Sequence, residues 1–92
     1  MNVLMIGYDL NRPGQKYEEL IEYLKSQGTW WHQLDSTWLV KTPLTAVEMR
    51  NAVKARVDAN DEVLVVNVTG DMWATFGMSD KGNAWLQKHM DG

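Results

Sequence analysis

The sequence predicts one α/β domain, α+β in layout, whose elements follow the order βαββαβ. Three observations carry this. Residues 3–8, 29–34, 37–41 and 62–68 are short runs rich in apolar, aromatic and β-branched residues, bounded by turn formers. Two intervening segments repeat their apolar residues at helical spacing. The connections are short, which favours an antiparallel sheet with two helices on one face and the other face open. At 92 residues and 45% hydrophobic, residues 1–92 fit a single domain with a modest core.

The first run, residues 3–8, is stopped by Asp9, Asn11, Pro13 and Gly14, so it reads as a buried strand followed by a loop. Tyr17, Leu20, Ile21 and Leu24 recur with charged residues between them, and Gly28 supplies the C-terminal stop of an amphipathic helix. Residues 29–34 and 37–41 are joined by Asp35 and Ser36, a tight turn that predicts a hairpin. Thr45 as N-cap with Glu48 three residues on forms a capping box, and Met49, Val53 and Val57 mark the buried stripe of the second helix. Residues 62–68 are too continuously apolar for an edge strand. Residues 72–76 suit a fifth strand, and Ser79 can cap a last helix through Trp85, Leu86 and His89, which Gly82 weakens by about 1 kcal/mol.

This order defines a ferredoxin-like fold. An open apolar sheet face needs a cover, and a homodimer built on that face supplies one.

Composition narrows the chemistry. With no cysteine, neither disulfides nor thiolate metal sites are available. The start lacks a basic leader and meets Asp9 far short of a membrane span's roughly 20 apolar residues, so no membrane and a cytoplasmic location are expected. A formal net charge of -3 disfavours tight, sequence-independent binding of long duplex nucleic acid. Five Trp and three Tyr exceed what a plain core of this size needs. Trp30, Trp31, Trp38 and Trp73 can seal a core or dimer interface, the expectation favoured here, or stack bases on the open sheet.

Asp9 has the oxygen chemistry that magnesium takes, although an aspartate there also serves as a turn residue. His32 could exchange protons near neutral pH, but a lone strand histidine is more often structural. Alternation places Trp31 and Gln33 on one face and Trp30 and His32 on the other. His89 has no second histidine at ligand spacing, and Arg50, Lys54 and Arg56 form a weak basic stripe that a solvated helix explains equally well. There is no phosphate loop, dinucleotide fingerprint, nucleophile elbow or zinc ligand set.

The run Met5-Ile6-Gly7-Tyr8-Asp9-Leu10, the helix ending at Gly28, Gln33 in the next strand, Ser36, and the strand Thr37-Trp38-Leu39-Val40 resemble the small CRISPR-associated protein of the spacer-integration complex (Cas-two) and its stand-alone, SinR-labelled relatives. Element order matches over about residues 2–68. The resemblance implies a ferredoxin-like homodimer that binds nucleic acid or a nucleotide. In such a dimer Asp9 would be the catalytic metal ligand for magnesium-dependent phosphodiester hydrolysis. Tyr8, Arg12, Lys16 and Ser36 would contact the nucleic acid. The family's basic residues after the aspartate reduce here to Arg12 and Lys16. Two other functions are weighed against this defence-associated endonuclease: a non-catalytic interaction module and a VapD-type toxin ribonuclease.

Overall fold

A computed structural model describes residues 1–11 and 17–92. The elements are β1 (Asn2–Asp9), α1 (Glu18–Lys25), β2 (Thr29–Leu34), β3 (Thr37–Thr42), α2 (Ala46–Lys54), β4 (Glu62–Asn67) and α3 (Asp80–His89). The four strands form one antiparallel sheet in the order β2-β3-β1-β4. With α1 and α2 between the strands, this is the expected ferredoxin-like arrangement plus a C-terminal helix.

Strand alternation divides the sheet's side chains between two cores. On the first face Leu4, Ile6, Trp38 and Val40 meet Leu20 and Leu24 of α1 and Met49 and Val53 of α2, all fully buried. Removing one such side chain to alanine costs about 2–5 kcal/mol, because lost transfer energy and the residual cavity add. The second helix starts where the capping box demands: Glu48 N–H donates to Thr45 Oγ1 at 3.1 Å, and Thr45 N–H donates to Glu48 Oε1 at 2.9 Å. Gly28 takes a φ of 100°, a conformation that turns the chain from α1 into β2 and that a side chain disfavours.

On the second face Val3, Trp31 and Leu39 pack against Leu86 of α3 and Met90 at its C-terminal end. The two helices expected on one face lie there, and the other face, expected open, is partly covered by the chain's own last helix. Ser79 caps this helix by accepting from Gly82 N–H at 3.0 Å. Gly82, expected to weaken it, has a packing reason. A Cβ there would press to 3.0 Å on Gln33 Cγ and Met78 Cγ, while the Gly82 carbonyl accepts from Trp31 Nε1–H at 3.2 Å. Trp85 Nε1–H donates to Thr29 Oγ1 at 2.8 Å, tying the helix to β2 from its other side.

Two expectations fail at β4 and beyond. The strand lies at the sheet edge, and its run is apolar because both of its faces carry apolar side chains, only one of them packed, rather than because it is central. Val63 and Val65 pack on the helical core, whereas Leu64 and Val66 stand on the second face, 61% and 36% exposed. Residues 72–76 are not a fifth strand. Asp71 N–H bonds back to Val68 O, Gly70 N–H bonds to Met90 O, and Gly70 turns with a φ of 74°. That turn sends the segment across the second face instead of along a sheet edge, so no ladder is in reach.

Candidate functional site

The candidate catalytic corner sits where β1 ends. Asp9 is exposed, and among the described residues its carboxylate makes neither an ion pair nor a hydrogen bond. The β1–β4 register sets Glu62 directly opposite it. Like charges at such a cross-strand position repel, and a bound cation would relieve them. Behind this corner Asn11 joins the two loops, donating from its backbone to Asp61 Oδ1 at 2.8 Å and from its side chain to Asn60 O at 2.9 Å.

Tyr8 and Ser36 lie at the same end. Tyr8 N–H donates to Ser36 O at 3.1 Å, which brings the hairpin turn beside the end of β1. The Tyr8 side chain points to the opposite face from Asp9, as alternation requires. Its hydroxyl accepts from the fully buried Trp38 through Nε1–H at 2.9 Å. His32 stacks on Trp38 with centroids 3.8 Å apart, and its Nε2–H donates to Asp35 O at 2.9 Å. His32 is therefore held by structural contacts on the face away from Asp9. Arg12 and Lys16, the expected phosphate contacts, lie outside the described residues.

The four tryptophans expected at an interface separate. Trp38 and Trp31 are buried in this chain's own two cores, at 0% and 6% exposure, because each faces a helix that the same chain supplies. Trp30 keeps a partly exposed ring, with Lys25 Nζ 5.1 Å from its centroid. Trp73 is also partly exposed and lines the groove described next. The basic stripe on α2 is partly absorbed locally, since the Arg56 guanidinium lies 3.9 Å from the Tyr23 ring centroid and donates to Ala52 O at 2.7 Å.

Sequence reasoning missed an apolar groove of about 470 Å³ on the second face. Met5 and Leu39 belong to its floor, Leu86 and Met90 to the α3 wall, and residues 71–76 to the facing wall. Met72 and Phe76 stand fully exposed on that wall. The signal available was the chain's single Phe between Gly70 and Gly77, a setting better suited to a loop than to a strand.

His89 packs against Trp85, with ring centroids 4.8 Å apart, and among the described residues its buried Nδ1 has no hydrogen-bond partner. Burial, followed by Lys41 and Lys88, lowers its pKa below the ordinary imidazole value.

Among the described residues no three His, Cys, Asp or Glu side chains form a cation ligand set. One chain thus offers a carboxylate corner, not a closed metal cage. That corner suits magnesium, which commonly takes one or two carboxylates and completes its shell with water and substrate phosphates. Among the described residues no helix is long and apolar enough to cross a membrane. Comparison with protein-family models, curated proteins and solved structures finds no match.

Proposed function

We propose that the chain acts as a Cas-two-like homodimer in the cytoplasm, binding nucleic acid or a nucleotide ligand and cleaving phosphodiester bonds with magnesium held by Asp9. The observation that carries this reading is the exposed Asp9 carboxylate at the end of a central strand, set opposite Glu62. The ferredoxin-like order agrees with what the sequence resemblance implies. Asp9 would hold the cation, and Glu62 would add negative charge beside it. Bound magnesium would supply a Lewis acid at a phosphoryl oxygen. With Glu62 opposite Asp9, phosphate would approach this acidic corner more favourably once a cation is present.

Labelled single-stranded RNA, single-stranded DNA and duplex DNA, incubated with and without magnesium, test the proposal. Cleavage is expected only with magnesium and only when Asp9 is intact, with Asp9→Ala inactive but still folded. Cleavage that persists in Asp9→Ala refutes the assignment. RNA selectivity together with growth arrest on expression would instead mark the VapD-type ribonuclease.

A second reading, the non-catalytic interaction module, is favoured by Met72 and Phe76 standing fully exposed beside an apolar groove. There Asp9→Ala would leave function unchanged, and substitutions on the groove would abolish it.

A further inference from the structure

The groove on the second face is lined by apolar and aromatic side chains, from Met5 and Leu39 on its floor to Trp31, Trp73 and Phe76. Among the described residues, Asp71 is the one charged side chain that lines it, and no Lys, Arg or His does. Two other cavities differ in this respect: Arg50 and Lys54 line one, His32 and Lys81 the other. The Asp71 carboxylate is exposed and, among the described residues, makes neither an ion pair nor a hydrogen bond. Its backbone alone is engaged, through N–H to Val68 O. The Trp31 indole N–H is already donated to Gly82 O, so Trp31 offers ring surface to a ligand rather than a donor.

A volume of about 470 Å³ falls within the roughly 300–1,000 Å³ of sites that hold small organic molecules, which are mostly apolar with a few placed polar groups. The wall carrying Asp71 is a strap between two glycines in the left-handed region, Gly70 with a φ of 74° and Gly77 with a φ of 72°. Among the described residues, residues 72–76 make no backbone hydrogen bond, and Thr75 Oγ1 donates to Asn83 Oδ1 at 2.6 Å as a side-chain tether. Met72 is 99% and Phe76 101% exposed, so both large apolar side chains stand in water at the rim of the groove.

We propose that this groove binds a small aromatic amine, with its ammonium group on the Asp71 carboxylate, its ring on the apolar floor, and Phe76 folding over it from the strap. Charge complementarity selects this ligand class. An ammonium pairs with the lone carboxylate and is drawn to aromatic faces as well. An anionic ligand meets Asp71 with no cation to offset it, and a neutral one leaves the carboxylate desolvated without a partner. A second copy docked by the same groove about a twofold axis brings a second Asp71 and, from that groove, no cation. Closure of the strap on an occupant removes Phe76 from water, which favours the closed form only when the groove is filled. Neither Asp9 nor Glu62 lines the groove, so this binding requires neither the metal nor the cleavage proposed above.

Isothermal titration and two-dimensional NMR of the full chain, without metal or nucleic acid, test this with three probes of one shape: naphthylmethylamine, naphthylmethanol and naphthoate. The amine is expected to bind with a dissociation constant on the order of 100 µM and to shift the resonances of Met5, Leu39 and Leu86. The alcohol should bind about fivefold more weakly and the carboxylate more weakly still. Asp71→Asn should bring the amine level with the alcohol, Asp71→Glu should keep the preference, and Phe76→Ala should weaken both by about tenfold. Asp9→Ala should bind as wild type does, as should Val47→Ala, which changes an exposed apolar residue on α2 away from the groove. Absence of binding by all three probes overturns the proposal, as does naphthoate binding as tightly as the amine. So does a preference for the amine that survives Asp71→Asn, or shifts confined to the Asp9 corner. Groove resonances that move with protein concentration alone, with no response to the amine, identify a second copy as the occupant and also overturn it. Because the readout is binding alone, loss of the nuclease reading leaves this result unchanged.

Discussion

Replacing Tyr8 by phenylalanine isolates one hydrogen bond on which the larger core depends. The substitution keeps the ring that packs against the first-face core and removes only the oxygen that accepts from Trp38 Nε1–H at 2.9 Å. Trp38 is fully buried between Trp30, His32 and the strand core, so its indole donor would lose its acceptor inside the protein. An unsatisfied buried donor costs about 1–3 kcal/mol; because Tyr8 itself is half-buried and water can approach, the lower part of that range applies, about 1–2 kcal/mol. For a domain of this size that lowers the thermal midpoint by roughly 5–15 °C. Urea denaturation followed by tryptophan fluorescence should give a lower midpoint at an unchanged slope. The cycle is completed with Trp38→Phe, which removes the donor. In that background Tyr8→Phe should cost almost nothing, since no indole remains to be stranded. Equal costs in both backgrounds would refute the reasoning and assign the effect to packing.

Thr45→Ala removes the side-chain half of the capping box on α2 and should lower stability by about 1 kcal/mol in urea denaturation, with Thr45→Ser restoring most of it. Stability should also fall as the solution is acidified through the range governed by His89. Its folded pKa is depressed below the ordinary 6.5, so the unfolded chain takes up the proton first. The stabilisation is complete above that value and declines as pH falls from there toward the folded pKa. The charged groups that act on the imidazole are Lys41 of β3 and Lys88 on its own helix, with the Trp85 ring packed on it. His89→Gln should flatten the fall in stability below the ordinary imidazole pKa, measured by thermal melts in matched ionic strength.

Local signals made much of the fold legible. The turn at Asp35 and Ser36, the Thr45 and Glu48 pair and Gly28 each act within a few residues, and each appears where its chemistry requires. The sheet order was less accessible. Periodicity reports how much apolar surface a strand carries, and β4 carries it on both faces although only one strand adjoins it. Residues 72–76 have strand-forming side chains, but a strand needs a free edge in reach, and the turn at Gly70 decides that question. Of the expected site, Asp9, Tyr8 and Ser36 do gather at one end of the sheet. The tryptophans did not sort by type, because whether an aromatic ring faces a helix or solvent is set by which helix docks over it, α1 and α2 for Trp38 and α3 for Trp31, long-range contacts invisible in local spacing.

The order β2-β3-β1-β4 has a consequence for how the chain reaches this structure as it is synthesised. β1, the first of these four strands to be made, occupies an interior position, flanked by strands that begin 28 and 53 residues after its last residue, Asp9. The β2–β3 hairpin and α1 can assemble on one side of it early, but its other side stays unpaired until residues 62–67 leave the ribosome, and Val3 stays uncovered until Leu86 and Met90 follow. At elongation rates of about 5–20 residues per second the growing chain therefore presents an open backbone edge and an apolar strip for some seconds. Ribosome-proximal chaperones would find their natural substrate in that interval, and substitutions in α3 would first show themselves as lost yield during expression.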